Sequence, residues 1–203
     1  MSLDSKNPKI DSIRLALILF LITSLVAVSL AVANYYTAPI IEQAAQERLD
    51  DSLRELFAEA KSFEPVEDYE ESVSFGAVKV PVKEVYLAKD DAQKVLGFCV
   101  RVTPTGYSDT IDMMVALDAD GMVVGVQLLS IAETPGIGMK VDTDETFQKR
   151  FWGLTDTVKA VKTIPSTGEV QVISGATVSS TAYINGVNAA VELVQNLMLE
   201  VLQ

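Results

Sequence analysis

Ser174-Gly175-Ala176-Thr177-Val178-Ser179-Ser180 places four hydroxyl side chains around one glycine. Residues 169–173, Glu-Val-Gln-Val-Ile, precede it and read as a short strand. Residues 181–202 come after it with a helical pattern. A strand, a glycine turn and a hydroxyl-rich helix start can hold an anion. The first N–H groups of a helix lack internal partners, and the aligned peptide dipoles add positive potential there. Gly175 lets the backbone turn tightly and come close to a ligand. Thr177 stands where its hydroxyl can meet a phosphate. A simpler role fits the same residues: Ser174 or Thr177 as the helix N-cap, which Ser and Thr favour. On spacing alone the cap is the better reading.

Few other residues offer chemistry. The chain has 203 residues, a net charge of −12, one cysteine and no histidine. Without histidine there is no Ser-His-Asp triad, no usual general base and no imidazole metal ligand. A lone cysteine excludes an intrachain disulfide and an iron–sulfur cluster held by this chain alone. Cys99 lies in an apolar strand-like run and reads as a small buried hydrophobe. The acidic balance argues against nucleic acid and against an anionic lipid face. Redox work by such a chain has to be carried by a bound cofactor.

The elements that must position Thr177 emerge from patterning. Residues 1–14 are polar and carry Lys6, Lys9 and Arg14, and residues 15–41 carry no charge. A bilayer core needs about 20 apolar residues of helix, so this run is long enough to span. Tyr35 and Tyr36 suit the far interface, and the early basic residues put the N-terminus in the cytoplasm. A cleaved leader ending near Ala31-Val32-Ala33 is the alternative. The run is long for one, and both readings export the remainder of the chain.

Residues 40–61 predict a helix, with Ile41, Ala45, Leu49, Leu53, Leu56 and Ala60 as one apolar stripe and Pro39 able to kink the junction. Residues 64–74 are acidic and aperiodic and read as a loop. Strands are expected over 78–88, with Pro81 at an edge or bulge, and over 94–103 as its hairpin partner. The clearest hairpin is 113–118 with 123–129, turned by Asp118-Ala119-Asp120-Gly121. The rest of an EF-hand pattern is missing, so those aspartates read as turn chemistry. Residues 134–138 form a Gly/Pro loop. Residues 142–151 predict a short helix capped by Asp142 or Thr143. Trp152 reads as a core residue, with stacking on a flat ligand as the alternative.

Ser174-Gly175-Ala176-Thr177 with Ser179-Ser180 resembles the flavinylation motif of the FMN-binding domain family. Glu133-Thr134-Pro135-Gly136-Ile137-Gly138-Met139-Lys140 resembles that family's Glu-Thr-Pro-Gly-Leu-Gly segment. Gly106-Tyr107, with residues 111–118 after it, resembles its Gly-Tyr entry into a strand. With one N-terminal span, nearly the whole chain resembles the G subunit of Rnf-type electron-transport complexes, related to the C subunit of sodium-translocating NADH:quinone reductases.

The resemblance implies an α+β fold: a transmembrane helix, then one FMN-binding domain of antiparallel strands packed with helices. The expected divisions are 1–14 cytoplasmic, 15–38 membrane span, 39–74 stalk and acidic loop, and 75–203 FMN-binding domain. Thr177 is implied as the covalent FMN acceptor. Ser174, Gly175, Ala176 and Val178 surround it, and Glu133, Thr134, Pro135, Gly136 and Gly138 lie against the ring. Lys140 is a candidate to meet the phosphate or the ring. The implied partners are the lipid bilayer, the other members of the complex and a flavin transferase that moves FMN from FAD. The implied function is an electron relay between reduced ferredoxin and NAD⁺, coupled to Na⁺ or H⁺ transport. The chain would have no substrate pocket of its own and would sit in the cytoplasmic membrane with its FMN domain on the outer face. The alternatives are the C subunit of the quinone reductase, or a flavin-free tethered scaffold whose 174–177 turn is only a cap. Gln171 stands where the family's motif has an acidic residue. Ala132-Glu133 also lacks a nearby His found in many relatives.

Overall fold

The structure is a computed structural model that describes residues 8–75 and 78–201. Lys6, and the helix end expected at Leu202, lie outside those residues. The chain divides into two compact units, Met1–Glu47 and Arg48–Gln203.

The first unit is most of helix α1, Pro8–Leu56, which continues through Pro39. Among the described residues it is the one helix long and apolar enough to cross a membrane. Leu17, Leu21, Leu25, Val28 and Val32 all stand exposed on it. Two of its hydroxyls bond back to the helix's own carbonyls. Thr23 Oγ1 donates to Leu19 O at 3.0 Å and Ser29 Oγ to Leu25 O at 2.8 Å. A segment surrounded by hydrocarbon requires such internal pairing.

The second unit begins with the last turns of α1 and is built on a six-stranded antiparallel sheet. Its strands are β1 (Ser62–Pro65), β2 (Ser72–Phe75), β3 (Val78–Lys89), β4 (Val95–Val102), β5 (Ile111–Asp118) and β6 (Val123–Ile131). The order is β1-β3-β4-β5-β6, with β2 also on β3. Two short helices come next, α2 (Lys140–Thr143) and α3 (Glu145–Gln148), then a 3-10 turn, Lys149–Phe151. A two-stranded parallel pair, β7 (Lys159–Val161) with β8 (Glu169–Gln171), leads into helix α4, Thr177–Val201.

Strand alternation explains the core. Successive side chains of β5 point to opposite faces. Met113, Val115 and Leu117 join the cluster containing Ile184, Val187 and Val191 of α4. Met114 and Ala116 join Cys99 and, from the end of α1, Leu49 and Leu53. Both faces of β5 are therefore covered, which is why it reads as an unbroken apolar run. Arg101 of β4 pins its register with β5: Nε donates to Asp112 Oδ1 at 2.9 Å and Nη2 to Oδ2 at 2.7 Å.

Several expectations are corrected. The helix expected over 40–61 ends at Leu56, and Ile41 and Ala45 are exposed, so only Leu49, Leu53 and Leu56 of the stripe pack inward. Lys61 N donates instead to Lys89 O at 2.8 Å, which starts β1. Residues 64–74 include part of β1 and of β2 rather than one loop, because β3 is long enough to pair with both. Of the two positions expected for Pro81, the edge is not the one found, since β3 is flanked on both sides, while a bulge-like register shift between Val82 and Glu84 does lie beside it. The helix expected over 142–151 is broken at Asp144, whose carboxylate accepts the Phe147 N–H and restarts the helix as α3. Trp152 is 55% exposed and outside the core. The hairpin expected over 113–118 and 123–129 forms and extends to Ile111 and Ile131, with Asp118 Oδ1 accepting the N–H groups of Asp120 and Met122.

Candidate functional site

The turn that presents Thr177 is fixed by its neighbours. Gly175 takes φ +81°, a conformation that side chains with a Cβ rarely adopt. Ala176 N donates to Ile173 O at 2.9 Å, and Ile173 N donates to Ser180 Oγ at 3.1 Å. Ser180 is wholly buried, so its hydroxyl ties the incoming loop to the helix. Helix α4 begins at Thr177, not at residue 181, and its first N–H groups lie at the end of a long helix. Neither Ser174 nor Thr177 makes a side-chain capping bond among the described residues. The hydroxyl that serves the turn is that of Ser180, a residue with no such role expected from sequence. Thr177 Oγ1 has no hydrogen-bond partner among the described residues, and its side chain is partly exposed.

Thr177 and Gly175 form a wall shared by two clefts. One, of about 390 Å³, is bounded by Asp144, Phe147, Arg150, Lys162, residues 171–174 and this wall. The other, of about 350 Å³, is bounded by Tyr107, Glu133, Thr134, Ile137, Gly138, the wall, Ala176, Val178 and Ser179. Tyr107, Ile137 and Val178 are exposed apolar groups around the second cleft. Exposed side chains of this size, gathered at one opening, suit a flat and largely apolar ligand.

Glu133 ties together the segments that line the second cleft. It is 5% exposed, and its Oε1 accepts the N–H groups of Tyr107 at 2.6 Å and Ser108 at 3.3 Å. A Cβ on Gly106 would lie 2.1 Å from Glu133 Oε1, and one on Gly138 would lie 2.5 Å from Oε2 and 2.8 Å from Ser179 Oγ. The glycines of both motif segments thus make room for one carboxylate. Gly138 lines the second cleft, and the side on which a Cβ would stand is filled by Glu133 and Ser179.

The first cleft is held by a different chain of contacts. Phe147, Phe151 and Tyr183 pack with ring centroids 5.1–5.3 Å apart behind its Phe147 wall. Burial, with the Asp142 charge second, pushes the Tyr183 hydroxyl well above its ordinary pKa. Asn188 of α4 donates to Val158 O at 2.8 Å and accepts from Val158 N at 2.9 Å, anchoring the entry to β7. Because β7 and β8 run parallel, with Val161 opposite Gln171, Lys162 leaves β7 at the end where the chain turns toward Thr177.

Of the residues expected at the site, Glu133, Thr134, Gly138, Ala176 and Val178 meet at the second cleft and Ser174 at the first, with Gly175 and Thr177 in both. Pro135 and Gly136 are exposed and line neither cleft. Lys140 is exposed and also lines neither. Arg150 and Lys162, which sequence reasoning missed, are the cations beside Thr177. No local spacing signals them, since a 3-10 turn and a parallel strand pair bring them in. Gln171 lines the first cleft at the place where the family's acidic residue is expected.

Residues 106–192 match the FMN-binding domain family. The G subunit of the Na(+)-translocating ferredoxin:NAD(+) oxidoreductase complex of Acetobacterium woodii is 33% identical over 91% of this chain and 92% of its own length. The G subunit of the proton-translocating ferredoxin:NAD(+) oxidoreductase complex of Clostridium ljungdahlii is 30% identical over 81% of this chain and 82% of its own. Among solved structures, the C subunit of the Na(+)-translocating NADH-quinone reductase of Parabacteroides distasonis is 21% identical, covers 63% of this chain and 72% of that one, and has a TM-score of 0.45. An FMN-binding domain preceded by one membrane-length helix, together with full-length relatives of one kind, shows that this membrane protein belongs to the Rnf-type family of G subunits of ion-translocating oxidoreductase complexes.

Proposed function

We propose that this chain is an electron relay within an ion-translocating ferredoxin:NAD⁺ oxidoreductase complex, working through FMN bonded to Thr177. The observation that carries this is Thr177 itself: a hydroxyl with no partner among the described residues, on the wall between two clefts, at the start of a long helix. The residues present fit the group. The second cleft would hold the ring, with Tyr107, Ile137 and Val178 as its apolar lining. FMN supplies the electron-carrying chemistry, which no side chain of this histidine-free chain offers.

Maturation needs a flavin transferase and FAD as donor. Thr177 Oγ1 forms a bond to the flavin-side phosphorus while the P–O–P anhydride bond breaks. AMP leaves with that bond's electron pair, and the hydroxyl proton passes to a base on the transferase. Gln171 lines the cleft beside Thr177 and offers this partner an amide where the family's motif offers a carboxylate. The chain purified under denaturing conditions should show the mass of one added FMN less one water. An unmodified mass, from cells that flavinylate another acceptor, would contradict covalent attachment.

Lys6, Lys9 and Arg14 precede the apolar run. That asymmetry supports a cytoplasmic N-terminus and an FMN domain on the outer face of the cytoplasmic membrane. Protease added to spheroplasts should digest residues beyond 48, and their full protection would reverse the orientation.

A further inference from the structure

Arg150 and Lys162 face the same cleft as Thr177 from separate elements, and neither makes an ion pair among the described residues. Arg150 is held in place by one bond, Nη1 to Gln171 O at 3.1 Å. Its remaining donors have no partner among the described residues. Lys162 comes directly after the β7 residue paired with Gln171, so the parallel register brings it to the same rim. The one carboxylate on the cleft wall is Asp144, which accepts the Phe147 N–H. Two cations and one carboxylate leave a single positive charge in a chain whose net charge is −12.

We propose that Arg150 and Lys162 form an anion seat for the phosphodiester at Thr177, so that the phosphate lies on the first-cleft side of this residue and the ring on the other. This deepens the reading above and rests on Thr177 being the flavin acceptor. The charge balance favours the attached form. A phosphodiester carries one negative charge, whereas a phosphomonoester carries about −1.5 to −2 near neutral pH. One net positive charge matches the first. A planar guanidinium and a mobile ammonium also suit the unesterified oxygens of a diester. Seated there, the phosphate fixes one end of the flavin and lets Tyr107, Ile137 and Val178 fix the other. Arg150 and Lys162 are positioning residues in this account, and Lys140 has no part in it.

The test uses the full chain, co-expressed with a flavin transferase and purified in detergent. Intact mass reads loading, and phosphorus NMR with phosphodiesterase digestion reads the seat. The wild-type resonance should be displaced from that of a free FMN phosphodiester, and the linkage should resist cleavage. In Arg150→Gln/Lys162→Gln the resonance should return to the free position and cleavage should quicken by about tenfold or more, as for losing one charge-assisted hydrogen bond. Lys162→Gln alone removes an exposed side chain with no hydrogen bond among the described residues, so it should fold normally and give an intermediate shift. Lys140→Gln should match the wild type. A loaded double variant that keeps the wild-type shift and protection would overturn the anion seat and leave Thr177 as acceptor. A wild type without FMN, from cells that flavinylate another protein, would overturn both.

Discussion

The carboxylate of Glu133 accepts the backbone N–H of Tyr107 at 2.6 Å across twenty-six positions of sequence. That bond joins the two motif segments flanking the second cleft and sets an aromatic ring, 75% exposed, at its mouth. Glu133→Ala removes the acceptor and leaves two N–H groups partly buried and unpaired. The expected loss is about 1–3 kcal/mol, measured by denaturant unfolding of the loaded protein. Glu133→Gln keeps an acceptor oxygen and should lose less. Flavin fluorescence should rise in both if Tyr107 swings away from the ring. Equal brightness in Glu133→Ala and wild type would show that Glu133 does not place Tyr107 against the flavin.

Asn188 makes two hydrogen bonds to the backbone of Val158, and both residues are buried. Asn188→Leu keeps much of the volume but strands the Val158 N–H and C=O. Stability should fall by about 1–3 kcal/mol. Hydrogen exchange should quicken at Val172, whose N–H bonds Val161 O, while the amides of β5 stay protected. Uniform quickening throughout the sheet would assign Asn188 to global stability and not to anchoring β7.

Burial pushes the Cys99 thiol up to about 12 from an ordinary value of 9.0. The thiolate is the reactive form, and this one is both scarce and enclosed. Native protein at pH 8 should resist an alkylating reagent that labels the denatured chain at once. The linkage has a definite sign. The unfolded chain loses this proton first, so the stability contribution is complete below pH 9 and is lost as pH rises toward about 12. Rapid labelling of folded protein would contradict the buried, protonated thiol.

Much of this architecture was legible in the sequence, and the rest was hidden for physical reasons. The hairpin 111–131 announces itself through apolar runs and an Asp-Gly turn. β1 and β2 do not: they are short, flanked by acidic residues, and exist because β3 offers them an edge. The start of α4 reads late because Ser179 and Ser180 favour turns locally. Burial of both, with the Ser180–Ile173 bond, overrides that preference. Thr177 and Glu133 were singled out through motif resemblance, and both line the second cleft. Arg150 and Lys162 depend on the register of two three-residue strands, which no local pattern encodes.

The central claim is that the Thr177 oxygen carries the flavin, and one comparison tests it most directly. Wild-type chain and Thr177→Val, each co-expressed with a flavin transferase, are run side by side on a denaturing gel under ultraviolet light. Valine preserves the branched shape and deletes the oxygen. The account predicts a fluorescent wild-type band and a dark Thr177→Val band. A Thr177→Val band as bright as wild type would move the attachment elsewhere and contradict the account.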